Sequence, residues 1–287
     1  MTAIFKVCDP SPLAHGVYTE TPFVTSDMRK RTDPAAVMAG VQSIVVVAVG
    51  HSIVVRDGRP QHCDFKQAEL SSLGTNADYH PIVRTHLADL TAQLKELHGD
   101  FKHKILVDSG TLDERTFAVR AGIGFLGRHG VVVAHEFGTR FNIGLLLTTL
   151  PMDAVGALFA VPESIARDAC PANCNLCIVA CPTNALRENQ PLDHARCLSY
   201  LTQKKELTAE EGLLLAQGNQ LYGCDICQNA CPFNAPQEKT YVSPFAWLHK
   251  TDADFESEFG HTAMLWQGTE LLRRNAKIIC DFHRGGG

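Results

Sequence analysis

The fold of this chain is decided by two cysteine runs, Cys170-Pro-Ala-Asn-Cys174-Asn-Leu-Cys177-Ile-Val-Ala-Cys181-Pro182 and Cys224-Asp-Ile-Cys227-Gln-Asn-Ala-Cys231-Pro232. Both runs end in Cys-x-x-x-Cys-Pro, and Cys197 lies between them. Eight of the eleven cysteines therefore fall between residues 170 and 231. The remaining three stand apart and are expected to be ordinary small residues of the core or surface: Cys8, Cys63 and Cys280.

Clustered cysteines in a chain without a signal peptide indicate metal ligands rather than a disulfide framework. In two-cluster ferredoxins, the cysteine that precedes proline binds the other cluster, because one short loop cannot supply all four corners of a cubane. This rule predicts two [4Fe–4S] clusters with eight ligands. One takes Cys170, Cys174, Cys177 and Cys231, and the other takes Cys181, Cys197, Cys224 and Cys227.

Two other interpretations of the same cysteines remain open. Paired Cys-x-x-Cys motifs also suit tetrahedral Zn²⁺, although both runs have the ferredoxin ending. The spacing from Cys170 to Cys177 is also that of radical-SAM enzymes, which carry it as an isolated motif rather than with a second run. The extra residue between Cys170 and Cys174 departs from the usual ferredoxin spacing and leaves Cys170 the least secure ligand.

The bulk properties narrow the function classes. The chain has 287 residues, 45% hydrophobic content and a net charge of −5, so it has no global basic field that would attract nucleic acid. The longest apolar run, Ile44–Gly50, is far shorter than the roughly 20 residues of a membrane span. We therefore expect a cytoplasmic protein with no membrane partner.

The amino-terminal half predicts an α/β layer. The first 25 or so residues show no period and are expected to form an irregular arm, while Val41–Val49 is a β-branched run typical of a buried strand. A helix with leucines from Leu87 to Leu97 separates it from a second strand at Ile105–Val107. Strand, helix and strand in this order predict a parallel pair joined by a crossover helix.

Three domains follow from the change in composition along the chain. Further elements are predicted as a helix at Leu112–Ala121, strands at Val131–Ala134 and Ile143–Thr149, and a closing helix at Leu265–Ile279. We expect an α/β domain over residues 1–161, a two-cluster ferredoxin-like domain over 162–240, and a carboxyl-terminal helical extension over 241–287 that packs back on the first domain.

Several stretches resemble the epoxyqueuosine reductases, cobalamin-dependent enzymes with two [4Fe–4S] clusters. The most specific are Cys197-Leu-Ser-Tyr-Leu-Thr202 and Gly218-Asn-Gln-Leu-Tyr-Gly-Cys-Asp-Ile-Cys-Gln-Asn-Ala-Cys-Pro-Phe-Asn234. The others are Arg31–Pro34, Asp78-Tyr79-His80, Val107–Gly127 and Leu272–Ala276. The segments Gly127–Gly130, Glu136–Gly138 and Thr148–Pro151 are instead closer to the related reductive dehalogenases. We do not expect the helical-repeat domain that many members use for tRNA.

The resemblance implies a cobalamin-binding α/β sandwich domain followed by the ferredoxin-like domain, with the cobalamin held between them. Electrons would pass from a low-potential donor, such as ferredoxin or flavodoxin, through both clusters to cobalt and then to the substrate. It also implies that Asp108 donates a proton near cobalt, with Tyr79 and His80 close to the active site. A general acid must be protonated near neutral pH, so burial beside the corrin would have to raise the pKa of Asp108 for that role.

Each of these residues also has a structural interpretation. Asp108 and Asp78 are placed where each could cap a helix, and His80 could simply pack in the core. The motif Gly122-Ile-Gly124-Phe-Leu-Gly127 satisfies a dinucleotide fingerprint, but a helix rather than a strand precedes it. The resemblance suggests that Gly122, Gly124 and Gly127 let the backbone approach the corrin ring and that Arg128 and His129 contact its polar groups; solvent-facing loop positions are the alternative.

The substrate is where the sequence is least informative. The acidic chain and the missing repeat domain predict poor activity on queuosine-modified tRNA, unless a local basic patch forms from Lys204, Lys205, Arg273, Arg274 and Lys277. A small-molecule reduction such as dehalogenation is the alternative for the substrate. A two-cluster electron-transfer protein without cobalamin is the alternative outside enzymes.

Overall fold

The computed structural model describes residues 2–13, 23–51, 67–159 and 169–285, so Cys63 lies outside the described residues. The chain divides into two compact units. The first contains Met1–His51 and His80–Cys174, and the second contains Ser52–Tyr79 and Asn175–Gly287. Within the described ranges, no helix combines the length and the apolar character that crossing a bilayer requires.

The described residues form nine strands and twelve α-helices. The strands are β1 Ala3–Cys8, β2 Ser43–Gly50, β3 Ala68–Leu70, β4 His103–Leu106, β5 Gly124–Leu126, β6 Val132–Ala134, β7 Phe141–Thr148, β8 Gln220–Tyr222 and β9 Thr240–Val242. The helices are α1 Met28–Thr32, α2 Pro34–Val37, α3 Tyr79–His98, α4 Glu114–Arg120, α5 Met152–Gly156, α6 Leu176–Ala180, α7 Leu198–Leu201, α8 Ala209–Gly218, α9 Ile226–Asn229, α10 Pro244–His249, α11 Asp252–Phe259 and α12 Thr269–Gly285.

The first unit is built on a four-stranded sheet with the order β1-β2-β7-β4, in which every neighbouring pair is antiparallel. All eight residues of β2 are buried, as the run of β-branched side chains predicts. The predicted parallel pair of β2 and β4 is wrong. The two strands run in the same direction, but β7 lies between them and pairs with both.

Side chains from both helices and strands fill the first core. Ile44 and Val46 of β2 pack with Leu145 of β7 and with Phe117 and Ala118 of α4. On α3, Val83 approaches β7 so closely that a Cβ at Gly144 would lie 2.4 Å from its Cγ1 atom. The sheet therefore has an α/β environment although its pairing is antiparallel.

Three other predicted elements are partly confirmed and partly corrected by the structure. The expected irregular arm contains β1, which pairs with β2 along its whole length, while residues 14–22 lie outside the described residues. The predicted strand at Val131–Ala134 is confirmed as β6, which pairs with β5. The helix expected from Leu112 begins at Glu114, after the N-cap residue Asp113.

The second unit combines distant parts of the chain. Its three-stranded sheet has the order β8-β3-β9, so β3 from the short segment 67–79 lies between two strands that come about 150 and about 170 residues later. Trp247, Phe255 and Phe259 form an aromatic core with edge-on ring contacts. The closing helix is α12, preceded by a short 3-10 turn, and it packs against α8, α10 and β8.

Candidate functional site

None of the ten described cysteines takes part in a disulfide bond. In the second unit, six of them lie in or beside the short helices α6, α7 and α9. Their positions are Cys177 inside α6, Cys181 at its carboxyl end, Cys197 before α7, Cys224 two residues before α9, Cys227 inside α9 and Cys231 two residues after it. Short helices of this kind let sulfur atoms from separate loops face one region.

Electrostatics shows that these sulfurs share a region. Burial, followed by charges on Cys197, Cys177 and Cys181, raises the pKa of the Cys227 thiol to about 12. Burial also raises the pKa of Cys224, with added contributions from Cys227 and Cys197. Thiolates buried together repel one another, so they need a cationic centre such as iron to be stable. The donor set therefore fits an iron–sulfur cluster.

Hydrogen bonds brace the loops that carry these cysteines. The fully buried amide of Asn275, on α12, donates to the carbonyl oxygens of Thr202 and Leu221 at 2.8 Å each. The Thr202 hydroxyl in turn accepts from the backbone N–H of Gly223 at 2.9 Å. These bonds join the segment that follows Cys197 to the segment that precedes Cys224.

Within the described residues, no group of three or more His, Cys, Asp or Glu side chains is arranged to hold a single metal ion.

The first cysteine run begins in a tight turn of the first unit. The backbone N–H of Cys174 donates to the carbonyl of Pro171 at 2.9 Å. The exposed guanidinium of Arg128 donates to the carbonyl of Ala172 at 2.7 Å, so Arg128 anchors the loop between Cys170 and Cys174. The sequence had suggested a corrin contact or a solvent-facing position for Arg128, and this contact to the cysteine loop was missed.

The glycine-rich loop has mostly internal packing reasons for its glycines. A Cβ at Gly124 would lie 2.0 Å from the carbonyl oxygen of Val133, and one at Gly127 would lie 2.5 Å from the ring of His129. Gly122 is different, because it has a φ of +77° and open space around its Cα. Of the three glycines, Gly122 alone retains the predicted room for a ligand.

His129 is buried rather than solvent-facing. Burial lowers its pKa to about 4, so its imidazole is neutral near pH 7. Its Nδ1 accepts a hydrogen bond from the N–H of Val131 at 3.2 Å, which places the proton on Nε2. That Nε2–H group is buried and has no acceptor among the described residues. The glycine-rich loop therefore offers two features to a ligand, the orphaned donor of His129, which suits a carbonyl acceptor, and the open backbone at Gly122.

Asp108 lies where the sequence placed it, at the end of β4, with its side chain exposed directly after the buried Val107. Its backbone has a φ of 44°, the left-handed region that a non-glycine residue rarely adopts. The helix-cap interpretation of Asp108 is wrong, since Asp113 occupies the N-cap position of α4. We call residues 108–111 the Asp108 turn.

The Asp108 turn is held from two sides. The carbonyl of Gly110 accepts from the N–H of Thr25 at 2.8 Å, and a Cβ at Gly110 would lie 2.7 Å from the carbonyl oxygen of Phe23. The buried guanidinium of Arg31 donates to the carbonyl of Thr111 at 3.0 Å. The turn is therefore fixed by contacts with the segment 23–31.

Glu114 is a residue of this site that the sequence analysis missed. Its Oε2 accepts from the backbone N–H of Asp108 at 3.3 Å, and its Oε1 is buried without a partner among the described residues. Burial, followed by the charge of Asp108, raises the pKa of Glu114 to about 8. The only sequence signal was its place in the first turn of a predicted helix, where a carboxylate is ordinarily a solvated end charge.

Tyr79 and His80 begin α3, and both side chains are half-buried. Asp78 directly precedes this helix, and its backbone N–H donates to the carbonyl of His261 at 2.8 Å. Their predicted catalytic role stays a prediction.

The predicted basic patch is largely occupied by internal pairing. Lys204 contacts Glu211 at 2.7 Å, Arg273 contacts Asp252 at 2.5 Å, and Lys277 contacts Asp281 at 2.5 Å. Arg274 donates to the carbonyl oxygens of Lys204, Lys205 and Leu201. These cations hold the second unit together and leave less charge for phosphate groups.

Comparison with known proteins matches two stretches of the chain to family models. Residues 31–109 match the family described as epoxyqueuosine reductase QueG, DUF1730, and residues 169–234 match the 4Fe-4S double cluster binding domain. The epoxyqueuosine reductase of Staphylococcus aureus is 31% identical over 265 residues, which cover 88% of this chain and 67% of that protein. The chain thus spans about two thirds of that relative's length.

Two solved structures share the fold. One is an epoxyqueuosine reductase with an epoxyqueuosine-modified tRNA-Tyr stem loop, with a TM-score of 0.81, 26% identity, and coverage of 96% of this chain and 76% of the other. The second is the Bacillus subtilis epoxyqueuosine reductase with a catalytic aspartate loop swung out of the active site. Its TM-score is 0.82, with 26% identity and coverage of 99% and 78%. By the similarity to the Staphylococcus aureus protein, this chain belongs to the epoxyqueuosine reductase family and is an oxidoreductase.

Proposed function

We propose that this chain reduces the epoxide of epoxyqueuosine in tRNA to give queuosine. The observation that carries the proposal is the match of 96% of this chain to the reductase solved with an epoxyqueuosine-modified stem loop. The reaction removes the epoxide oxygen as water and leaves an alkene. It therefore consumes two electrons and two protons for each substrate molecule.

The cysteines supply the electron path in this proposal. Eight thiolates hold two [4Fe–4S] clusters in the crossed arrangement, with Cys181, Cys197, Cys224 and Cys227 on one of them. The mutual effects of Cys197, Cys224 and Cys227 on their pKa values support that part of the grouping, while Cys177, which is assigned to the other cluster, also acts on Cys227. Clusters of this type reach potentials of about −700 mV, so a ferredoxin or flavodoxin of low potential is a suitable donor.

Cobalamin is the second proposed cofactor. Gly122, Arg128 and His129 are the residues that would hold it, because they offer open backbone, an exposed guanidinium and an orphaned N–H donor. When bound, cobalamin supplies a cobalt centre that takes electrons from the clusters and delivers them to the substrate. The internal packing of Gly124 and Gly127 argues that these two glycines shape the loop instead.

Asp108 is the proposed proton donor. Its exposed carboxyl stands at the end of a sheet strand, in a turn whose left-handed backbone is the kind of strain found at active sites. The swung-out catalytic aspartate loop in the Bacillus subtilis relative supports a turn with two positions in this chain as well. Tyr79 and His80 are proposed to assist, since phenol and imidazole groups can both donate protons.

The charge distribution bears on how well tRNA would bind. The net charge of −5 and the internal pairing of Lys204, Arg273 and Lys277 leave few cations for the phosphate backbone. We therefore expect a high KM for tRNA. The same pairing favours a small-molecule reduction, such as dehalogenation, as the second candidate.

Reconstitution tests both the cofactors and the substrate. The chain is loaded with iron, sulfide and cobalamin, passed through gel filtration, and incubated with epoxyqueuosine-containing tRNA and a low-potential reductant. Queuosine in the digested nucleosides supports the proposal. Bound corrin without queuosine would favour a small-molecule substrate, and clusters without bound corrin would favour an electron-transfer protein.

A further inference from the structure

The loop that presents Asp108 is bonded to a second carboxyl group. Glu114, the first residue of α4, accepts the backbone N–H of Asp108 at its Oε2 atom, 3.3 Å away. Its other oxygen, Oε1, is buried and has no partner among the described residues. A buried carboxyl with one bonded and one unbonded oxygen is stable as the neutral acid, since a buried carboxylate would leave much of its charge uncompensated.

The charged groups around Glu114 agree with this state. Burial is the largest cause that raises its pKa to about 8, and the like charge of Asp108 adds to it. Backbone N–H groups of Asp108 and Ser109, and the buried guanidinium of Arg31, act in the opposite direction. Arg31 is shared, because it also lies 3.8 Å from Asp113 and donates to carbonyls of the loop. Its charge therefore does not serve Glu114 alone.

We propose that Glu114 is a positioning residue: its protonated carboxyl holds the Asp108 turn closed, and its ionisation releases the turn. The proposal rests on the role of Asp108 as proton donor in the proposed function. In the closed state, the Asp108 turn shields Glu114 from water and stays bonded to it. Opening of the turn admits water to the Glu114 carboxyl group. Water stabilises the ionised form, so the open turn favours the carboxylate.

The sign of the pH effect follows from linkage. The closed turn keeps a proton on Glu114 up to about pH 8, while a water-exposed glutamate loses it near its ordinary pKa of 4.5. Between these two values the closed state binds more protons than the open state. Rising pH therefore favours opening by up to about tenfold for each pH unit, and the effect levels off above about pH 8.

Amide hydrogen exchange of the peptide spanning residues 107–112 tests the proposal. Exchange is measured on the cluster-loaded protein without corrin or tRNA from about pH 6 to about pH 9.5, and each rate is divided by the intrinsic rate at that pH. Wild-type protection is expected to fall by up to about a hundredfold between about pH 6 and about pH 8 and then to level off. The matched control is Glu96→Gln, on the exposed face of α3, which should follow the wild type.

Two variants separate bonding from charge. Glu114→Gln keeps an oxygen acceptor but cannot ionise, so its protection should stay high and flat across this pH range. Glu114→Ala loses the acceptor and should be open at every pH. Infrared difference spectra against Glu114→Gln should show a protonated carboxyl carbonyl at about pH 6.5 that disappears at about pH 9.5.

Equal wild-type protection at about pH 6 and about pH 8 would overturn the proposal. A Glu114→Gln profile that follows the wild type would overturn it as well. If the variants do not fold, the wild-type exchange profile still decides, because it requires no substitution. These measurements use no substrate, so their failure leaves the queuosine assay unaffected. A negative queuosine assay likewise leaves the exchange result standing.

Discussion

The carboxylate of Asp225 accepts a hydrogen bond from the backbone N–H of Ser72 at 2.6 Å, across 153 residues of sequence. Asp225 directly follows the cysteine at position 224, and both bonded groups are buried. The short segment 67–79 is therefore joined to a cysteine loop of the second unit by a charge-assisted bond, the stronger class of hydrogen bond in proteins.

Removing this acceptor should loosen the cysteine loop. In Asp225→Ala the N–H of Ser72 is left buried and unpaired, which costs about 1–3 kcal/mol. Asp225→Asn keeps an oxygen acceptor and should cost less. The measurement is the urea midpoint for bleaching of the cluster absorbance, with the exposed Asp100→Asn as the control. Equal midpoints for the wild type and Asp225→Ala would contradict the prediction.

Iron content tests the crossed assignment of ligands. The wild type should hold about eight iron atoms, and Cys181→Ser and Cys224→Ser should each hold about four, because one cluster is lost. The double variant of Cys181 and Cys224 should also hold about four, since both residues bind the same cluster. The double variant of Cys177 and Cys181 should hold almost none, although these two cysteines are neighbours in one run.

The control for iron loss is Cys280→Ser, which lies outside both runs and should keep about eight iron atoms. If the Cys181 and Cys224 double variant lost nearly all iron, the two residues would serve different clusters. That result would replace the crossed arrangement with one cluster for each run.

A methyl group at Gly110 should displace the Asp108 turn. Gly110→Ala combines a φ of +66° with a Cβ that would lie 2.7 Å from a backbone oxygen. Gly99→Ala is the matched control, because Gly99 has a φ of +74° and nothing within 4 Å of the added atom. Backbone strain costs about 1–3 kcal/mol and is common to both variants. Because the clash is added only at Gly110, Gly110→Ala should be the less stable variant and the one that loses reductase activity. Similar thermal midpoints and activities would refute the predicted clash.

Local patterns in the sequence predicted local structure well. The strand β2 was predictable because a continuous run of β-branched residues suits a strand covered on both faces. Family membership agrees with the resemblance that was based on the cysteine block and the matching segments around it. The β-branched run and the cysteine block are both patterns of residues that are close together along the chain.

Non-local pairing was not predictable from the same patterns. The strand β1 was missed because Pro10 and Pro12 made the region look irregular, whereas its order comes from hydrogen bonds to β2. The parallel pair failed because nothing near β2 or β4 indicates that β7 inserts between them. Glu114 was missed for a related reason: its burial depends on groups that fold around it, including Arg31 from another helix.

Replacing Asp108 by asparagine should remove the proton donor and leave the turn intact. Asparagine, like aspartate, tolerates the left-handed backbone at φ 44°, so the loop geometry should be preserved. Loss of a general acid lowers the rate by about 10²–10⁴-fold, and we expect the fall in kcat rather than in the affinity for tRNA. Single-turnover formation of queuosine measures the step directly, with iron and corrin contents determined on the same samples. Asp89→Asn, an exposed carboxylate on α3, is the matched control and should react at the wild-type rate. A full single-turnover rate in Asp108→Asn would assign the proton to another group, with Tyr79 and His80 the next residues to substitute.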